Sequence, residues 1–282
     1  MITVFTKSPF IGSPFIGSPF IIRRGVTRMA DILFANGELG ILLDLSPTTV
    51  FQDSAMTTPA VAGDPVGAVV DVSGNGLHLT QATSLAKPTL QQAANGKYYL
   101  AFDGVDDNLT VTIPAGGIQG TMVLGTTEGI VVAEVDIPAG AWNIIRTHAE
   151  GSQYQYFPPG YFVGLVLRQG VMSSSEIAQA KNWLLSRGAK LDFGASSGIA
   201  GFLGNRPEIK SVNFSEWNTD KFTTLNSLIS WSNITTLDLS NFNTSRVTNC
   251  VELARNCSTL TTVILNGGTG NPFSDSPCTS YN

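Results

Sequence analysis

The chain has 282 residues, 43% hydrophobic and only 13% charged, with 29 glycines, 14 prolines and a net charge of −5. That length allows two domains with cores of their own, and a turn-rich, charge-poor composition favours β structure over helix. The acidic balance gives no reason to expect nucleic acid as a partner, no run approaches the ~18 apolar residues of a membrane span, and the proline-broken amino terminus lacks the charged and apolar regions of a secretory signal.

Residues 1–30 form the first unit. Residues 8–22 read SPFIGSPFIGSPFII, with Pro9, Pro14 and Pro19 each followed by Phe10, Phe15 and Phe20. Each Ser-Pro step holds the serine extended and removes a backbone donor, so neither a helix nor a central strand can form, and an extended arm is expected. A spacing of five sends successive rings in different directions, so one flat groove would not take all three. A low-complexity tail is one reading. The other is an anchor that threads over neighbouring subunits, since each buried ring is worth ~1.5–3 kcal/mol and tails without partners are usually poor in aromatics. Arg23, Arg24 and Arg28 close the arm as a local basic cluster, either a solvated hinge or a contact to an acidic neighbour.

Residues 31–192 read as an antiparallel β body. Asn36-Gly37 is a tight turn, Ile41 to Leu45 a short apolar strand, and Ser46-Pro47 a stop. Asp71-Val-Ser73-Gly-Asn75-Gly76 begins like a calcium loop, but position 12 falls on Ala82 where a bidentate glutamate is needed, so a turn between Val69-Val70 and Leu77-Leu79 explains it without metal. YYLAFDGVDDNLTVT, residues 98–112, reads as strand, acidic turn, strand. Its Asp103, Asp106 and Asp107 repel one another unless hydrogen-bonded or neutralised, which makes them the better calcium candidate, although surface turns also tolerate such charge.

This acidic-turn signature, with LDLSPTTVFQDSA and DPVGAVVDVSGNGLHLTQAT before it, resembles the concanavalin-A-like (laminin-G-like) β-sandwich modules found in many phage virion proteins. The resemblance implies a surface module and does not by itself imply catalysis.

Further on, Thr121–Gly125 and the face Val131, Ala133, Val135, Ile137 predict a hairpin turning at Thr126–Gly129. The loop QYQYFPPGY, residues 153–161, can stack Tyr154 or Tyr156 on a sugar, or pack as a rim on a neighbouring subunit. Leu165 and Leu167 lie on one face of the next strand. One closing helix follows, with Ser173 as N-cap, Glu176 completing a capping box, an Ile177–Ala180–Leu184 stripe and Gly188 as C-cap. GLVLRQGVMSSSEIAQAKNWLLSRGA again resembles the last strand and helix of the phage module.

A Gly/Ser-rich linker over 193–206 leads into residues 207–282. There Ile209, Val212 and Phe214 recur as Ile234, Leu237 and Leu239 and then as Leu260, Val263 and Leu265. Apolar residues so spaced are what a short leucine-rich-type solenoid needs, and LTTLDLSNFNTSRVTN resembles the leucine-rich-like repeats of BspA-type surface proteins, which also occur in phage fibres. GTGNPFSDSPCTSYN supplies no clear capping element, so the expectation is a truncated repeat array or an end covered by a partner. Cys250, Cys257 and Cys278 make an odd number, which argues against a disulfide framework and fits assembly in a reducing cytosol. Cys250 and Cys257 match no zinc spacing.

Two histidines, no nucleophile elbow and no carboxylate pair in a pattern that glycosidase chemistry demands point away from an enzyme. The two resemblances, with the arm as attachment, imply a structural component of a tailed-phage virion, assembled in the host cytoplasm, bound to other virion proteins through its arm, homo-oligomeric with the trimer such fibres commonly form, and in contact with a host glycan or receptor. Tail fibre, head fibre and capsid decoration protein all fit, as does a carbohydrate-binding adhesin. No cofactor beyond calcium is implied.

Overall fold

The computed structural model describes residues 28–103, 105–146, 162–190, 206–214, 217, 219–220, 222–243 and 246–265. The protein is mainly β, with two sheets and few helices. In chain order the body consists of α1 (Met29–Leu33), β1 (Gly40–Asp44), β2 (Val50–Phe51), β3 (Ala68–Val69), β4 (Leu79–Thr80), β5 (Thr89–Gln92), β6 (Tyr98–Ala101), β7 (Asn108–Ile113), β8 (Ile118–Thr126), β9 (Ile130–Ile137), β10 (Gly140–Arg146), β11 (Phe162–Gln169) and α2 (Ser174–Arg187). Three short strands follow: β12 (Ile209–Asn213), β13 (Thr236–Leu239) and β14 (Thr262–Leu265). Helix α1 starts inside the stretch expected to be an extended arm.

The small sheet runs β10-β7-β4-β3-β2, and the large one runs β14-β13-β12-β9-β8-β11-β6-β5, with β1 also on β11. Period-two alternation sorts the side chains of the large sheet into two layers. Ile41, Leu43, Met122, Leu124, Val131, Ala133, Leu165 and Leu167 enter one cluster with Val50, Leu79, Leu109, Val111 and Ile113 of the small sheet. Their neighbours Leu42, Val123, Ile130 and Val166 face the other way, onto Leu33 of α1 and Ala180 and Leu184 of α2. The order of layers is therefore small sheet, large sheet, helices. Helix α2 forms where its sequence says it should: Ser173 Oγ accepts the Glu176 N–H at 3.3 Å, the Ser173 N–H donates back to Glu176 Oε2 at 2.7 Å, and Gly188 ends the helix at φ 117°.

The last three strands extend this same large sheet. Strand β12 pairs antiparallel with β9, with Val212 opposite Ala133 and Asn213 opposite Val132. Strands β13 and β14 then add in parallel, placing Val212 beside Leu237 and Leu237 beside Val263. The register equals the sequence offset, and side chains repeat with it. Asn213 Nδ2 donates to Asp238 Oδ2 at 3.0 Å, Thr235 Oγ1 to the Lys210 carbonyl and Thr261 Oγ1 to the Thr235 carbonyl, both at 3.1 Å. A second ladder runs through the connectors, with the N–H groups of Leu225, Ser227, Ile229 and Trp231 donating to the carbonyls of Asn249, Val251, Leu253 and Arg255. Ser227 and Glu252, and likewise Trp231 and Asn256, take left-handed φ of 54° to 60° at matching places in successive repeats. Phe214, Trp217, Phe222 and Phe242 fill the interior, edge to face except for the tilted Phe222–Phe242 pair, with centroids 5.5–6.2 Å apart. Cys250 is buried and disulfide-bonded, against the expectation drawn from the odd cysteine count, while Cys257 is a free thiol.

Candidate functional site

Two crossings between the sheets lie side by side at one end of the body. The segment after β4 leaves the small sheet and reaches β5 in the large one; the acidic turn after β6 makes the opposite journey to β7. Thr80 opposite Thr110 and Thr89 opposite Ala101 fix both crossings at the same end. Gln81 Nε2 ties them together by donating to Asn108 Oδ1 at 2.8 Å. The expected strand, acidic turn and strand are present, and the turn carries the chain from one sheet to the other.

The three aspartates converge there. One carboxylate oxygen from each of Asp103, Asp106 and Asp107 lies within 4.8 Å of the other two. Asp103 and Asp106 are exposed, while Asp107 is 4% exposed. Local hydrogen bonds set the geometry: the Asp103 N–H donates to Asp107 Oδ2 at 2.8 Å and the Val105 N–H to Asp103 Oδ1 at 2.8 Å. Burial pushes the Asp107 carboxyl up to about 6, the Asp103 and Asp106 charges add to the rise, and the Asp103 N–H opposes it. Such a cluster could hold a metal: three hard carboxylate oxygens suit a cation that prefers oxygen, with water or carbonyls completing its shell.

The calcium-like loop is built differently. Asp71 is 5% exposed and fully engaged within the protein: Oδ1 accepts the Leu42 and Ser73 N–H groups, each at 2.9 Å, and Oδ2 accepts Ser73 Oγ at 2.8 Å and the Leu77 N–H at 3.0 Å. Asn75 Nδ2 donates to the Glu38 and Gly40 carbonyls, both at 3.1 Å. Asp71 and Asn75 therefore staple the turn to β1, which leaves Asp71 no oxygen turned outward for an ion.

The junction between body and repeats is also polar. Glu208, 9% exposed, accepts Trp142 Nε1 at 3.1 Å and pairs with Arg206 at 3.2 Å, while Arg206 also donates to the Asn143 carbonyl at 3.0 Å. Across from it the Trp217 ring packs so closely on Gly129 that a Cβ there would lie 2.7 Å from the indole. Nothing in the sequence singled out Arg206 and Glu208, because their partners on β10 are more than sixty residues away.

Pro9, Phe10, Pro14, Phe15, Pro19 and Phe20, together with Tyr154 and Tyr156, lie outside the described residues. In comparison with known proteins, no family model, no curated protein and no solved structure matches the chain. Among the described residues no helix is long and apolar enough to cross a membrane.

Proposed function

We propose that this chain is a structural display protein, a β-sandwich of the concanavalin-A-like type continued by a leucine-rich-type solenoid. More particularly, we read it as a tail fibre or similar surface appendage of a tailed-phage virion, held by its N-terminal arm and meeting the host surface with its outer part. The observation that carries this reading is the unbroken sheet: β12 adds to β9, and β13 and β14 stack on it at the repeat spacing. A sheet that runs from body into repeats transmits position from one end to the other without a hinge, which is what an attached and displayed rod requires. Head fibre and capsid decoration make the same demand. The arm supplies attachment through Phe10, Phe15 and Phe20, each rigidified by the proline before it.

Particles grown with a copy lacking residues 1–28 test this directly. Loss of the protein from purified particles, with its fold intact by circular dichroism, is the expected result; full incorporation without the arm overturns it. Calcium is the cation best matched to Asp103, Asp106 and Asp107. If it binds, millimolar calcium chloride raises the midpoint of thermal unfolding, and Asp106→Asn removes the rise.

A further inference from the structure

The acidic end of the body combines three features that a solvated surface does not need together. Its two crossing loops carry apolar tips, Leu85 at 83% and Val105 at 53% exposure. A third loop runs beside them, held by the Val66 N–H on the Pro88 carbonyl at 2.7 Å and the Leu90 N–H on the Asp64 carbonyl at 2.9 Å, and it exposes Val61 at 61%. Asp103 and Asp106 stand exposed on the acidic crossing, while the one cation among the described residues of the neighbouring crossing, Lys87, turns its Nζ inward onto the Gln52 carbonyl at 2.9 Å. Apolar tips ringed by one sign of charge mark a binding surface for a partner that is apolar and of the opposite sign.

The chain itself contains that partner. All 21 of its acidic residues lie from Asp31 onward; the preceding segment holds Lys7, Arg23, Arg24, Arg28 and four phenylalanines, Phe5, Phe10, Phe15 and Phe20, with no compensating carboxylate. We propose that the loop end carrying Leu85, Val105, Asp103 and Asp106 is the seat for the N-terminal arm of a neighbouring copy, the phenylalanines packing on the apolar tips and the Arg23–Arg24 guanidinium groups meeting the exposed carboxylates. The inference rests on reading the arm as an attachment segment, and it names what the arm attaches to. Arginine suits the role, because its planar fork pairs with carboxylates in a way a lysine does not. Donation between copies links chains into a closed ring or an open row, depending on the rotation it imposes.

The test uses the full chain in EDTA, so that no metal occupies the aspartates, and follows association by sedimentation velocity. Wild type is expected to self-associate, less so as salt rises. A loop variant, Asp103→Asn with Asp106→Lys, and an arm variant, Arg23→Glu with Arg24→Glu, should each weaken association about tenfold or more, because like charges then face one another. Mixing the two variants should restore assembly, since each then offers the other a complementary pair. Leu85→Ser, at an exposed tip where folding is not at stake, should weaken association while leaving the circular dichroism spectrum unchanged. A wild type that stays monomeric, a loop variant that associates as wild type does, or a mixture that fails to recover each overturns the proposal. Loss of particle incorporation on deleting the arm, with normal incorporation of the loop variant, overturns it while leaving the virion reading intact.

Discussion

Asp71 and Asp107 are both nearly buried, yet their surroundings give them opposite roles. Asp71 is surrounded by N–H and O–H donors, so removing it strands buried groups: Asp71→Ala leaves the Leu42 and Leu77 N–H groups without their acceptor and should cost about 2–4 kcal/mol. Urea unfolding measures the loss, and it should be the same with and without calcium. Asp107 accepts the Asp103 N–H and lies beside two like-charged neighbours. Its carboxyl is pushed up to about 6 in the fold from an ordinary value of 3.8, so the protein is relatively more stable when that group is protonated. Stability from this residue is fully present below pH 3.8, declines as the unfolded chain ionises first, and is gone above about 6. Asp107→Asn, which keeps an oxygen for the Asp103 N–H, should therefore stabilise the protein at pH 7 by on the order of 1–2 kcal/mol, discounted for partial solvation, and by almost nothing at pH 4. Equal effects at both pH values would sink that account. Sequence alone located the carboxylates, because three aspartates in a short turn are visible as composition. Which of them is buried depends on tertiary packing, which no local pattern announces.

At the scale of elements, what was legible were those whose signals are local. Helix α2 carries its own start and stop in Ser173, Glu176 and Gly188, and the β8–β9 hairpin turns at the Thr126–Gly129 stretch that its alternation brackets. The repeat offset, read from Ile209, Ile234 and Leu260, reappears as strand register. Pairing partners were not legible. The alternation of β9 says that one face is buried but not that its free edge takes β12, and the Gly/Ser-rich stretch before Arg206 suggested a separation where the sheet is continuous. The join makes two changes informative. Val212→Pro places a residue without an N–H in a strand paired on both sides, so amide exchange should accelerate in β9 and β13 together and not in the repeats alone. Gly129→Ala drives a methyl into the Trp217 ring and should cost about 1–3 kcal/mol, recovered in part by the smaller Trp217→Leu.

Across the whole molecule, the question is whether body and repeats unfold as one. A flexible joint between two self-sufficient cores would give two transitions. Here one hydrophobic cluster extends from Leu109 and Val111 of the small sheet through Val131 and Ala133 to Val212, Leu237 and Leu253, and the buried Glu208 locks the entry to the repeats onto Trp142. Neither part can open at β12 without exposing the other's strand edge and leaving Glu208 short of its hydrogen bonds, a penalty of several kcal/mol for a buried charge. The expected outcome is a single cooperative transition, in which the fluorine NMR signals of Trp183 on α2 and of Trp217, in fluorotryptophan-labelled protein that keeps all its tryptophans, report the same midpoint in urea. Glu208→Ala should separate them, with the Trp217 signal moving to lower denaturant first, because the repeats then keep their own ladders but lose the polar lock to the body. Coincident midpoints in that variant would assign the coupling to the β9–β12 pairing alone; separate midpoints already in the wild type would show that the continuous sheet does not bind the two parts into one cooperative unit.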